Sequence, residues 1–229
     1  MRGNLMYRFT VFCIRVYSRI MLKFDTHWHG NLPSGPKLFV ANHPSASDPF
    51  IIHLLSGEHL SVLISGNAFA MPLFGMLLHH MEQICVSAEQ GKEAMESAKA
   101  RLQAGHSVCI FPEGLVSPQS GGCHPAHSGA ARLAMLTGVP VIPVGVYLPR
   151  EKNFYISSNL SGKRTAAYWY LHGPYGMTVG EPMQFTGNME DKDVVRSVTN
   201  SMMAKIHELA EESERRVRFI PSGVRLPVT

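Results

Sequence analysis

The chain has 229 residues, enough for one sizeable core, and no linker or low-complexity stretch divides it. A formal net charge of +4 is too small to argue for nucleic acid as a partner, and 45% apolar against 17% charged residues gives a charge-poor surface that suits a domain touching a membrane. Four cysteines show no C-x-x-C spacing; Cys85 and Cys109 sit in apolar runs and read as buried thiols in a reducing compartment.

Residues Met1 to Phe24 mix large apolar side chains with basic ones and hold no acidic residue. No apolar run reaches the length of about 20 residues that spans a bilayer, and no small-residue cleavage site marks a signal peptide. Arg8, Arg15, Arg19 and Lys23 share one helical face, while Leu5, Phe9, Phe12, Val16 and Ile20 fill another. The expectation is a basic amphipathic helix lying in the headgroup layer of an anionic leaflet on the cytoplasmic face. The alternative is a helix packed on the domain with a solvated basic edge. Residues 1–24 are therefore read as a membrane-associating segment, and 25–229 as the domain it serves.

Asp25 to Lys37 is punctuated by glycine and proline and contains His27-Trp28-His29. An H-x-H pair can bind metal. Read as an edge strand whose side chains alternate between two faces, with Trp28 half buried, it needs none. No metal and no cofactor are expected.

The apolar run Leu38 to Ala41 predicts a buried strand ending at Asn42-His43. A Pro/Ser loop follows to Asp48-Pro49, where Pro49 suits the first helical position and Asp48 the cap. The loop can fold back so that Asp48 meets the His43 imidazole. This is a His–Asp pair with no nucleophile of its own, as expected when the attacking hydroxyl belongs to the substrate.

Pro49 to Leu55 reads as a short helix ended by Gly57, and Leu60 to Ile64 as a strand. Asn67 to His80 is rich in Met, Phe and Leu, with breaks at Pro72 and Gly75. Ile84 to Val86 is a third strand. A helix from about Gln90 to Gln103 follows, with an apolar stripe at Ala94, Ala98 and Leu102. The strand Val108 to Phe111 delivers Pro112-Glu113-Gly114 at its C-terminal end, where open α/β sheets gather their sites. After a polar loop with His124 and His127 come a helix, Gly129 to Leu136, and an apolar strand, Val139 to Tyr147. Thr165 to His172 and Met177 to Val179 read as strands with Pro174 and Gly176 between them, and Gly180-Glu181-Pro182 as a turn. Asp193 to Arg216 is a helix with a basic tail containing Arg218 and Arg225. The strand–helix–strand order predicts a single α/β domain with a largely parallel, mixed sheet flanked by helices.

Three blocks together resemble the glycerolipid acyltransferases of the lysophosphatidate acyltransferase type. They are H-x-x-x-x-D at His43 to Asp48, FPEG at Phe111 to Gly114 and VPVIPV at Val139 to Val144. The resemblance covers about Pro36 to Pro182. It implies transfer of a fatty acyl group from acyl-CoA or acyl-carrier protein to a lipid acceptor at a membrane surface. His43 would be the general base and Asp48 its orienting acid, with no acyl-enzyme. Phe111, Pro112, Glu113 and Gly114 would line the acceptor site. Backbone N–H groups near Pro49 or the Glu113-Gly114 turn would hold the oxyanion.

Two departures from the family pattern bear on the acceptor. The family's third block continues with Thr-Arg where this chain has Leu115 and Val116, and its second ends in arginine where this chain has Ser87, Ala88 and Glu89. Those arginines are thought to hold the acceptor's phosphate, and Val116 cannot replace a bidentate, permanently charged group. The expected acceptor is therefore a lipid hydroxyl without a simple phosphomonoester, such as a glycolipid or a lyso-ornithine-type lipid. The alternative is a lysophosphatidate or glycerol-3-phosphate acyltransferase in which Lys92, Arg101 or Arg132 supplies a relocated cation. Two other readings are a thioesterase, although no G-x-S-x-G supports a serine hydrolase, and a lipid-binding relative without turnover.

Overall fold

The described residues, 2–87, 91–160 and 163–219 of a computed structural model, begin with helix α1 (Arg2–Met21), which runs directly into strand β1 (Leu22–Trp28). The sheet thus starts at Leu22, inside the segment expected to be helix. Strand β2 (Leu38–Ala41) is followed by a one-turn helix α2 (Asp48–Ile51), which continues as a 3-10 turn to Leu55, and by β3 (Leu60–Ser65). Two short helices, α3 (Gly66–Phe69) and α4 (Phe74–His80), lead to β4 (Ile84–Val86). Helix α5 (Gly91–Gln103), strand β5 (Ser107–Ile110), helix α6 (Gly129–Thr137) and strand β6 (Val141–Tyr147) complete the middle of the chain. A hairpin, β7 (Phe154–Leu160) and β8 (Lys163–Trp169), precedes β9 (Gly173–Val179) and the long helix α7 (Lys192–Phe219).

Seven strands form one mixed sheet in the order β1-β9-β6-β2-β5-β3-β4. The block from β6 to β4 is parallel, β9 joins β6 antiparallel, and β1 joins β9 parallel. Central strands β2 and β5 are buried at every position, as both-face coverage requires. One apolar cluster lies on the face that carries Phe39, Val144, Tyr175 and Met177; the other packs α5, α6 and α7 against Val40, Val108 and Val141. The predicted stripe Ala94, Ala98 and Leu102 is buried in that second cluster.

Four expectations need correction. Asp48 lies inside the first turn of α2 and Ser47 takes the cap position, because the Asp48 carboxylate is turned back toward the preceding loop. Cys109 is buried, but Cys85 is exposed, since β4 is an edge strand. His27 and His29 do not point to opposite faces: residues two apart on a strand share one, and both rings turn toward α7, while Trp28 is exposed. Pro174 and Gly176 lie within β9. A Cβ at Gly176 would sit 2.6 Å from Val217 Cγ2 of α7, so this glycine serves close helix–sheet contact and not a turn.

The apolar face of α1 is turned outward. Phe9 and Phe12 are 62% and 61% exposed, and Leu5, Val16 and Ile20 are exposed with them. The helix is attached instead through Tyr7, whose hydroxyl accepts from the Leu60 amide (3.0 Å) and shares a hydrogen bond with His53 Nδ1 (3.1 Å). Tyr17 donates to the Leu171 carbonyl. No helix among the described residues is long and apolar enough to cross a membrane. Ala88, Glu89 and Arg225 lie outside the described residues.

Candidate active site

Strand β2 ends at Ala41, and the next side chain continues the sheet in place of backbone. Asn42 Nδ2 donates to the Val146 carbonyl (2.8 Å), and its Oδ1 accepts from the Val146 amide (2.7 Å). Only an amide side chain offers that donor–acceptor pair in one plane. It fixes the strand end and so the exit of His43. The His43 side chain is 14% exposed, its ring stacked on Phe111 with 4.3 Å between centroids.

His43 Nδ1 lies 3.0 Å from Asp48 Oδ2, which also accepts from the Ser45 amide (2.8 Å). The other oxygen, Oδ1, accepts from the Tyr175 hydroxyl at 2.6 Å. Asp48 and Tyr175 are both fully buried. Burial, and then the Asp48 carboxylate, hold the Tyr175 pKa well above its ordinary value, so the phenol remains a donor. A carboxylate accepting on three sides makes Nδ1 the protonated nitrogen and leaves the lone pair on Nε2. The loop is clamped from the hairpin side as well: Ser47 Oγ donates to the Tyr170 carbonyl (2.9 Å), and the Ala46 amide to that of Tyr168 (2.8 Å).

The FPEG turn braces the same histidine from below. Glu113 is 1% exposed. Its Oε1 accepts from the His43 amide (3.0 Å) and from Ser117 Oγ (2.6 Å), and its Oε2 from the His124 amide (2.7 Å). The Ser117 amide donates back to the His43 carbonyl (2.7 Å). Phe111 and Pro112 are buried, and Gly114 is exposed with a positive φ of 68°. The structure thus brings together all six expected residues, with Glu113 turned onto backbone N–H groups and Gly114 facing solvent. It adds Asn42, Ser45, Ser117 and Tyr175. Of these, Asn42 and Ser45 could have been flagged by their place in the block, but Tyr175 lies 127 residues from Asp48 with nothing local to mark it.

Several chemistries are closed off. Burial and then the Glu113 carboxylate push the Cys123 thiol up to about 12, and burial and then Asp48 push Cys109 upward too. Neither is a thiolate near neutrality. Among the described residues no hydroxyl is hydrogen-bonded to the His43 ring. The Asp48, Phe50 and Gly114 amides, drawn from the stretches expected to hold an oxyanion, are engaged by the Ser45, Ser47 and Phe111 carbonyls. The proposed relocated cations sit elsewhere: Arg101 pairs with Glu82, Arg132 donates to the Met189 carbonyl, and Lys92 is exposed on α5. Arg150, which sequence reasoning missed, donates to the carbonyls of Pro118 and Gly122 in the loop after FPEG.

Residues 23–147 match the family described as Acyltransferase. The chain is 30% identical over 127 residues to the chloroplastic 1-acyl-sn-glycerol-3-phosphate acyltransferase BAT2 of Brassica napus, a match covering 53% of this chain and 36% of that protein. It is 27% identical over 132 residues to the lyso-ornithine lipid O-acyltransferase of Pseudomonas aeruginosa, covering 57% of this chain and 50% of that one. The matches thus span about a third to a half of the length of these curated relatives. The fold is similar to that of the crystal structure of the 1-acyl-sn-glycerophosphate (LPA) acyltransferase PlsC from Thermotoga maritima, with a TM-score of 0.62 at 19% identity over 90% of this chain and 79% of that one.

Proposed function

The chain belongs to the acyltransferase family, and from that premise we propose that it transfers a fatty acyl group from a thioester, acyl-CoA or acyl-carrier protein, to the hydroxyl of a membrane lipid. The observation that carries this reading is the His43–Asp48–Tyr175 hydrogen-bond chain, which engages Nδ1 and leaves Nε2 with no hydroxyl partner among the described residues. His43 takes the proton of the acceptor hydroxyl as that oxygen attacks the thioester carbonyl, and Asp48 stabilises the imidazolium. Tetrahedral collapse expels the thiolate, which recovers the proton from His43. Glu113 positions the base by holding the His43 amide, while the exposed Gly114 edge of the turn is where acceptor and donor meet the site.

The acceptor lacks a simple phosphomonoester. Val116 stands where the family carries an arginine, and Arg101 and Arg132 are engaged away from the His43 loop. Similarity to a lyso-ornithine lipid O-acyltransferase supports a phosphate-free lysolipid. The second reading, lysophosphatidate, is favoured by the similarity to a 1-acyl-sn-glycerol-3-phosphate acyltransferase. Helix α1 serves this chemistry by lying on the cytoplasmic face of the membrane. Its exposed Phe9, Phe12 and Ile20 supply apolar area, and its Arg8, Arg15 and Arg19, with Lys23 at the start of β1, complement anionic headgroups.

The test is thioester consumption against a panel of lysophosphatidate, glycerol-3-phosphate, a lyso-ornithine lipid, a lysoglycolipid and no acceptor. Turnover confined to phosphate-free lysolipids is the expected result. Turnover on lysophosphatidate contradicts the acceptor assignment, and turnover without acceptor makes the protein a thioesterase.

A further inference from the structure

We propose that His27, His29 and Glu212 form a binding site for a divalent transition-metal ion of the zinc class, separate from the active site and stapling β1 to α7. The ligand atoms of the three residues all lie within 4.8 Å of one another. His29 Nε2 is 2.8 Å from Glu212 Oε2, and His27 Nε2 is 3.9 Å from Glu212 Oε1. Zinc takes nitrogen and carboxylate ligands at about 2.0–2.2 Å in a tetrahedron, so its ligands stand roughly 3.3–3.5 Å apart. The His29–Glu212 Oε2 pair stands inside that value and must open slightly to admit an ion, while His27, 3.9 Å from the other oxygen of the same carboxylate, closes in on it. A hydrogen bond to Glu212 accounts for His29. It does not account for His27 turning its ring to the same carboxylate.

The surroundings suit a cation of this charge. Arg216 Nη1 holds Glu212 Oε1 at 2.9 Å, which orients the carboxylate and leaves Oε2 as the metal ligand, the second-shell arrangement seen around metal ligands generally. The guanidinium is offset in turn by Asp25, whose Oδ2 accepts from Arg216 Nε at 2.8 Å. Two carboxylates and one guanidinium thus face the ion with a net charge of −1. The partial exposure of His27 and His29 leaves the fourth position to water. Alternation along β1 puts Asp25, His27 and His29 on the face covered by α7, whereas Phe24 and Tyr175 belong to the opposite cluster. The register sets Trp28 level with Ala41, so what separates this site from His43 is the two intervening strands β9 and β6 and the sheet itself. An ion here ties an edge strand to the last helix and takes no part in acyl transfer.

The experiment titrates the full chain, freed of metal by chelator, with Co2+ followed by absorption and with Zn2+ followed by calorimetry. One equivalent binds per chain, with visible d–d bands and no thiolate charge-transfer band. His29→Ala and Glu212→Gln each weaken binding by at least about tenfold. Zinc raises the melting temperature of the wild type, but not of the variants. His27→Gln, at an exposed position that leaves the fold intact, weakens binding as well. Absence of saturable binding, binding that the substitutions leave unchanged, or a cobalt–thiolate spectrum overturns the proposal.

Discussion

Asp48 accepts hydrogen bonds from His43, Ser45 and Tyr175, and these three donors determine how rigidly the His43 imidazole, the proposed base, is held. Tyr175 is the informative one because it touches neither substrate nor imidazole. Tyr175→Phe keeps the ring in its packing but strips Asp48 Oδ1 of its donor, leaving a buried carboxylate oxygen unsatisfied. The expected cost is about 1–3 kcal/mol of folding stability. The variant also loses about tenfold in kcat with little change in KM, since the base loosens while the acceptor site is untouched. Unchanged turnover in a folded Tyr175→Phe protein would remove this residue from the mechanism. His43, Asp48 and Glu113 were legible because each is tied to a strand end or turn by local sequence. Tyr175 was not, because its partner is supplied by sheet topology.

At the scale of elements, β2, β3, β5, α5 and α6 follow from apolar runs and punctuation, and they hold most of the site. Misreading concentrated around β9, where Pro174 and Gly176 look like turn residues. Gly176 is instead the contact point of α7, with Ser213 O 3.3 Å and Val217 Cγ2 2.6 Å from where a Cβ would stand. Gly176→Ala should cost about 1–3 kcal/mol through overpacking, read as a lower melting temperature. A second element-level consequence concerns the anchor of α1. His53, fully buried against Tyr7, has its pKa lowered to about 3 from its ordinary 6.5, chiefly by burial. The unfolded chain therefore binds a proton at higher pH than the folded one. This part of the stability is complete above about 6.5 and is lost as pH falls toward 3, at about 1.4 kcal/mol per pH unit. Urea denaturation across that window should show the loss, and His53→Gln should flatten it. An unchanged slope in the variant would assign the acid sensitivity to other groups.

For the whole molecule, the proposed role of α1 is to hold the reaction at a membrane surface. Its exposed apolar face is not consumed by packing, since the helix is held through Tyr7 and Tyr17 on its other side. Vesicle sedimentation should show binding that increases with anionic lipid and falls with salt. Phe9→Glu with Phe12→Glu, or Arg15→Glu with Arg19→Glu, should weaken it by at least about tenfold, given roughly 1 kcal/mol per basic residue near a charged surface. Equal binding to neutral and anionic vesicles by the wild type would remove the electrostatic half of this account.

The most direct test of acyl transfer at His43 is to follow a labelled acyl group from thioester into lipid, in the presence of a phosphate-free lysolipid, with wild type and His43→Ala. General-base catalysis is worth about a hundredfold to ten-thousandfold in rate. The wild type should move label into a lipid ester, and the variant should lose that transfer by such a factor while still binding lipid. Label transferred equally by both proteins, or released as free fatty acid whether or not the lysolipid is present, would contradict it.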